Sequence, residues 1–245
     1  MIRRNLRRET VDGFARCSPL GGVPYQDFLK TLHVQHQVQR YLEIGTQHGK
    51  SLEHARHQAV AIDPEFLLDK QIWAEKPGIH LYETTSDDFF AHHNPCEILG
   101  GEIALAFIDG MHLADFVLRD FLNVERYCGN NAMIVLHDAL PQNFEMTERN
   151  RRAGLRRDKP LANAWTGDVW RVVPLLQRER PDLRIKILDC PPTGLVLIDH
   201  LDPSQKMPAG RRDELVHALT DSEPDEAEFW DFIESVSVMD SREML

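Results

Sequence analysis

The stretch YLEIGTQHGKS, residues 41–51, decides how the rest of the chain is read. An apolar run leads straight into a glycine-bearing turn, with Lys50 and Ser51 behind it. In an open α/β sheet, ligands bind beyond the carboxyl ends of the strands, and this turn sits at such an end. Working outward, short apolar runs recur at 40–45, 59–63, 79–83, 103–109 and 132–138, separated by stretches of helical length. Near-continuous apolar strands alternating with helices indicate a parallel sheet covered on both faces. The segment HLADFVLRDFLNVERYC, residues 112–128, places Leu113, Phe116, Val117, Phe121 and Val124 near helical spacing. It should cross over between the last two of these strands and stop at CGNN, with Asp120 and Glu125 on a solvated face.

After residue 138 the pattern changes. TGDVWRVVPLLQRERPD (166–182) reads as a helix capped by Thr166 or Asp168. LRIKILD and TGLVLID follow, separated only by CPP. That connection is too short for a parallel crossover, so the pair should be antiparallel. The expected division is an N-terminal helical segment at 1–39, one α/β domain at 40–200 with a basic insertion at about 140–165, and an acidic tail at 201–245. The tail carries EAEFWDFIESV, whose Phe229, Trp230 and Ile233 are available to dock on the domain or on a second subunit, which makes a homodimer reasonable.

Composition narrows the function. The 245 residues are 42% hydrophobic and carry a formal charge of −11. Such a balance argues against broad nucleic-acid binding, which needs a dominant basic face. No run approaches the roughly 20 apolar residues that span a bilayer. MIRRNLRRETVDG has the charge of a signal peptide without its apolar segment. The four cysteines form no CxxC pair, so the usual zinc spacing is missing and reduced thiols are expected. These features together point to a soluble cytoplasmic protein.

Three ligands compete for the turn at 45–51. A P-loop needs GxxxxGK[ST], but Gly45 and Gly49 enclose three residues instead of four, which shortens the phosphate cradle. A dinucleotide fingerprint needs GxGxxG, and here its second and third positions are Gln47 and Lys50. S-adenosylmethionine has no phosphate and carries two positive groups, so an acid at the strand end helps it. Glu43 supplies that acid. Asp63, closing AVAID, suits ribose hydroxyls, and TTSDDFF offers Ser86 and Asp87 for an adenine edge.

At this point the chain resembles a known group. YLEIGTQHGKS, AIDP, FIDGMHLADFVLRDF and VLHD are similar to class I S-adenosylmethionine-dependent methyltransferases, in particular the small-molecule O-methyltransferases related to macrocin methyltransferase. The likeness covers about residues 38–140. It implies a Rossmann-like, doubly wound sheet of about seven strands, mostly parallel with an antiparallel last strand. It also implies that Glu43, Gly45, Gly49, Ser51, Asp63, Ser86, Asp87 and Asp109 hold the cofactor. Two departures are Pro64 behind Asp63, which removes a backbone donor, and CGNNA, where a glycine pair is more usual. Some relatives of this type are named as hydroxylases of antibiotic precursors, but no iron triad can be placed here.

FIDGMH and VLHD close strands that should be neighbours, which sets Asp109 and Asp138 side by side. Two carboxylates in one cleft need a cation or a shared proton. A divalent ion such as Mg²⁺ is one solution, and the related catechol-type methyltransferases use such an ion. Those enzymes carry an asparagine where this chain has Ala139, so direct contact with the acceptor stays open as the other role of the two aspartates. Transfer to oxygen also needs a proton acceptor, and His112 and His137 are the candidates, with His112 favoured because alternation turns His137 away from Asp138. WTGDVWR reads equally as a packing corner or as an aromatic wall for a sugar-like or planar acceptor. Arg149, Arg151, Arg152, Arg156, Arg157 and Lys159 make either a solvated loop or a lid for an anionic acceptor. The expected function is O-methylation of a small-molecule hydroxyl. The rivals are a P-loop-like phosphotransferase or NTPase and a non-catalytic protein that keeps the methyltransferase fold.

Overall fold

The computed structural model describes residues 2–68, 76–151, 157–204 and 207–245. The chain opens with β1 (Arg3–Asn5), a hairpin of β2 (Arg8–Val11) and β3 (Phe14–Cys17), and helix α1 (Tyr25–Gln35). Then come β4 (Arg40–Ile44), β5 (Gln58–Asp63), β6 (Ile79–Glu83), α2 (Ser86–His92), α3 (Pro95–Leu99), β7 (Ile103–Ile108), α4 (Ala114–Glu125) and β8 (Cys128–His137). The rest is α5 (Val172–Glu179), β9 (Arg184–Leu188), β10 (Leu195–Asp199), α6 (Ala209–Thr220), α7 (Glu226–Ser235) and β11 (Ser237–Met239). Residues 1–39, expected to be helical, thus contain three strands before their single helix.

The large sheet runs β6-β5-β4-β7-β8-β10-β9-β11-β1. Strands β4 to β8 are all parallel, and β10 lies antiparallel to both β8 and β9, as the tight CPP connection requires. Seven of the strands match the expected sheet, and two more make nine. The extra pair are three-residue strands from distant parts of the chain. β11 pairs with β9, and β1 pairs with β11, so together they cover what would be an open edge. Segments of that length carry no readable period, which is why the sequence did not reveal them.

Alternation along the strands sorts the core into two faces. Leu42, Ile44, Val60, Ile62, Ala106, Ile108, Ile134 and Leu136 face the layer that includes Phe121 and Phe89. Tyr41, Ala59, Leu105, Phe107 and Val135 face Phe28, Leu29 and Leu32 of α1. Between β4 and β5 the connection contains only one 3₁₀ turn, Leu52–His54, so α1 covers a face that the following segment is too short to cover.

Helix α4 ends at Glu125, and the CGNN expected to stop it is already the first part of β8. Its first N–H, from Ala114, donates to Asp168 Oδ1 at 2.8 Å. Asp168 therefore caps α4 from across the chain and makes no side-chain cap on its own turn. The solvated face assigned to Asp120 and Glu125 is also corrected: they are 2% and 3% exposed. Glu125 is buried because Arg180 grips both of its oxygens, at 2.7 and 2.9 Å. Phe229, Trp230 and Ile233 of α7 are buried against their own domain, where Phe229 meets Phe144 and Trp170. The tail's apolar face is thus already used within the chain.

Candidate functional site

The carboxyl ends of β4, β5, β7 and β8 converge where the strand order reverses, between β4 and β7. Glu43 closes β4, fully buried, and its carboxyl accepts from Tyr41 Oη at 2.5 Å and Ser51 Oγ at 3.0 Å. Burial pushes its pKa up to about 7, against the pull of those hydroxyls. Gly45 follows with φ +87°, and a Cβ there would stand 2.1 Å from the Asp109 carbonyl oxygen. Only glycine permits that approach. Gly49 also has positive φ, +74°. The loop's N–H groups are largely used inside the protein: Gly45 N donates to Ile62 O, Gly49 N to Thr46 O, and Gln47 N to Asp63 Oδ2. A phosphate cradle needs such groups open, and Lys50 is exposed, so the geometry disfavours the P-loop rival.

Asp63 closes β5 with one oxygen on Gln47 N and the other on Glu65 N, both at 2.8 Å. Ser86 and Asp87 open α2, where Thr85 caps the helix by accepting from Asp88 N. Asp87 is held by Arg119 of α4 at 2.5 Å. Glu43 and Asp63 thus lie at the ends of β4 and β5, while Ser86 and Asp87 belong to the helix that follows β6.

The second constellation is a closed cluster. His137 Nδ1 lies 3.0 Å from Asp109 Oδ1 and 3.4 Å from Asp138 Oδ1. His112 approaches the same two carboxylates from the other side, with Nε2 3.4 Å from Asp109 and Nδ1 2.9 Å from Asp138. Thr193 Oγ1, from the turn before β10, donates to Asp138 Oδ1 at 2.5 Å. Nothing in the sequence singled out Thr193, because it reaches the site only through the antiparallel pairing of β10 with β8. His112 and Asp138 both sit at positive φ, +56° and +58°. Backbone held in that region costs of order 1–3 kcal/mol at each residue and concentrates at functional sites. Burial lowers the pKa of each histidine, yet Asp109 and Asp138 outweigh it: His112 is raised well above its ordinary value and His137 to about 9. Protonated histidines would thus balance the two carboxylates. One divalent ion with neutral imidazoles would balance them equally well, and Asp109, His137 and Asp138 each offer a ligand atom within 4.8 Å of the others. An oxygen, oxygen, nitrogen set suits such an ion. His137, which the sequence reading left out of the candidate metal set, is the third residue of this group. Its ring lies against Tyr25, centroids 4.1 Å apart, on the α1 face of the sheet.

The WTGDVWR corner divides its two expected roles. Trp170 is buried against Phe229 and Phe232 and is packing. Trp165 stacks on His112, centroids 5.1 Å apart and 12° from parallel, with Nε1 donating to Glu148 O at 2.6 Å. A Cβ on Gly167 would meet the His112 carbonyl oxygen at 1.7 Å, so the corner is built directly against that histidine. In the basic stretch, Arg149 is locked between Asp115 and Asp168, each at 2.7 Å. Arg157 pairs with Glu145 at 2.9 Å, while Arg152 and Arg156 lie outside the described residues.

Residues 42–139 match the family model described as a methyltransferase domain. No curated protein sequence matches the chain. Among solved structures, the O-methyltransferase TomG from Streptomyces achromogenes, involved in tomaymycin synthesis and determined with SAM, is 16% identical with a TM-score of 0.50, over 71% of this chain and 78% of its own. A candidate caffeoyl-CoA O-methyltransferase from Staphylococcus aureus is 15% identical with a TM-score of 0.50, over 71% of this chain and 81% of its own. At such identities the likeness concerns the fold, and it is the mostly parallel sheet flanked by helices described above.

Proposed function

We infer from the methyltransferase domain at residues 42–139, set in a Rossmann-like sheet, that this chain is an S-adenosylmethionine-dependent methyltransferase, and we propose that it methylates a hydroxyl of a small molecule. The observation that carries the acceptor half of this reading is the cluster of Asp109, His112, His137 and Asp138 at the ends of two neighbouring strands.

The cofactor, when bound, supplies an electrophilic methyl group. Glu43 and Ser51, bonded to each other, hold the turn in which Gly45 and Gly49 shape the methionine cradle. Asp63 keeps spare lone pairs on both oxygens and accepts from ribose hydroxyls. Ser86 and Asp87 would hold the adenine edge. Asp109 and Asp138, joined by His137, would hold a divalent ion such as Mg²⁺ or orient the acceptor directly. His112 has the most accessible side chain of the four, 22% exposed, and takes the acceptor's proton once it is itself neutral. Trp165 fixes the plane of His112 and forms one wall of the acceptor site, suited to a sugar-like or planar molecule. Among the described residues no helix is long and apolar enough to cross a membrane, and a cytoplasmic location is part of the same proposal.

Calorimetric titration with S-adenosylmethionine, with and without Mg²⁺, beside ATP tests the reading. Binding of S-adenosylmethionine alone is the expected result. Binding of ATP in its place would overturn it.

A further inference from the structure

The glycine loop behind β4 lacks the support that such loops usually have. In a Rossmann-type sheet the loop after the first strand runs into a helix, whose regular hydrogen bonds hold it in place. Here the chain between β4 and β5 forms a single 3₁₀ turn, Leu52–His54, with no side-chain cap from Ser51. The turn is nevertheless tied to the loop. Glu53 N donates to Gly49 O at 2.9 Å, His54 N donates to Ser51 O at 3.1 Å, and Ser51 Oγ donates to Glu43. Leu52 and Ala55 are buried and anchor it in the α1 face of the core. A turn this short cannot fill the carbonyls at its end with its own N–H groups.

Lys76 fills them. It stands three residues before β6, and its Nζ donates to Leu52 O at 3.0 Å, to Glu53 O at 2.9 Å and to Ala55 O. An ammonium has three N–H donors and no acceptor, so its whole hydrogen-bonding capacity is spent on this one turn. A positive charge also suits the negative end of a helical turn. From α1, Gln26 Oε1 meets His54 Nε2 at 3.1 Å, so a second element braces the same segment.

We propose that Lys76 is a positioning residue for the amino-acid part of the cofactor: by gathering the carbonyls of Leu52, Glu53 and Ala55 onto one ammonium, it takes the place of the helix and holds Gly49 and Ser51 in the shape of the cradle. This rests on the cofactor reading given above. Lys76 enters from the amino end of β6, whereas the cradle opens at the carboxyl ends of β4 and β5. Its influence therefore passes through the turn, by the bonds from Glu53 to Gly49 and from Ser51 to Glu43, and not through contact with the cofactor. Removing the ammonium releases three carbonyls at once and loosens the cradle, while Asp63 and the start of α2 keep their own bonds.

The test is calorimetric titration of the full chain and its K76M variant with S-adenosylmethionine, and with 5′-methylthioadenosine read by displacement. The second ligand keeps the adenosine and the methylated sulfur but has no amino-acid part. In K76M the Kd for S-adenosylmethionine should rise about tenfold or more, and that for 5′-methylthioadenosine by less than about threefold. Lysine that only stabilises the fold would leave both Kd values of the folded protein unchanged. No change, or equal rises for the two ligands, overturns the proposal. Should K76M not fold, K76R carries the test. Its guanidinium keeps the charge, but a planar fork cannot aim three N–H groups at one cluster of carbonyls, so the same split should persist at about threefold, and a ratio of one sinks the idea. If the wild type binds neither ligand, the cofactor reading itself fails, and the proposal goes with it.

Discussion

The two halves of the sheet's carboxyl edge solve the same problem, how to hold acids in a cleft, by different means. On the β4–β5 side, Glu43 and Asp63 are held by hydroxyls and backbone N–H groups, and neither forms an ion pair among the described residues. On the β7–β8 side, Asp109 and Asp138 are held chiefly by two histidines. Backbone N–H groups fix the position of Asp63, while Glu43 is held by hydroxyls and its burial leaves it sensitive to a proton. Facing charges set a shape that changes whenever a proton or a cation is exchanged. In the proposed function the first half would hold the cofactor and the second would serve chemistry on the acceptor.

The sharpest way to break that contrast is Asp138→Asn. Turnover should fall by about 10²–10⁴, the usual worth of a disabled acid–base site. The Kd for S-adenosylmethionine should change by less than about threefold. Equal losses in both would mean that the halves are not separate. Next in size is a pH effect on the cofactor side. Glu43 is raised from 4.5 to about 7 by burial, so the folded state binds its proton more tightly than the unfolded state does. The associated stability, on the order of 3 kcal/mol, is complete below pH 4.5 and is lost as pH rises to about 7. Urea titrations at several pH values should show that decline in the wild type and a shallower one in E43Q. A smaller effect is expected at the seam between the halves. Gly45→Ala should cost roughly 1–3 kcal/mol in the same unfolding assay, because positive φ and the Asp109 carbonyl both oppose a side chain. The smallest is Trp165→Leu, which removes the stack on His112 for about 1 kcal/mol of stability and leaves cofactor affinity unchanged. A weakened cofactor Kd in that variant would blur the boundary the other three rely on.

Much of this edge was legible in the sequence for a simple reason. Apolar runs locate the strands, a parallel sheet gathers their carboxyl ends, and Glu43, Asp63, Asp109 and Asp138 are the residues at or just beyond those ends. What was not legible depends on contacts between distant segments. Asp168 reads as a cap for the helix that follows it, but it caps α4, 54 residues away in sequence. Asp120 reads as solvated because its burial comes from Ser86 and Gly110 on other elements, and Glu125 because its partner is Arg180. The three-residue strands β1 and β11 exist only because each has an edge to join. Arg149 looked like one of six interchangeable cations, yet two buried aspartates make it a fixed point.

That fixed point has a consequence for how such a chain can diversify. Asp168 joins Arg149, Arg171 and the first N–H of α4, two residues beyond His112. The knot thus ties the start of α4 to the segments at Arg149 and at 168–171. Such a chain can therefore change Arg149, Asp168 or Arg171 only at the risk of moving the histidine that sits two residues before the knot.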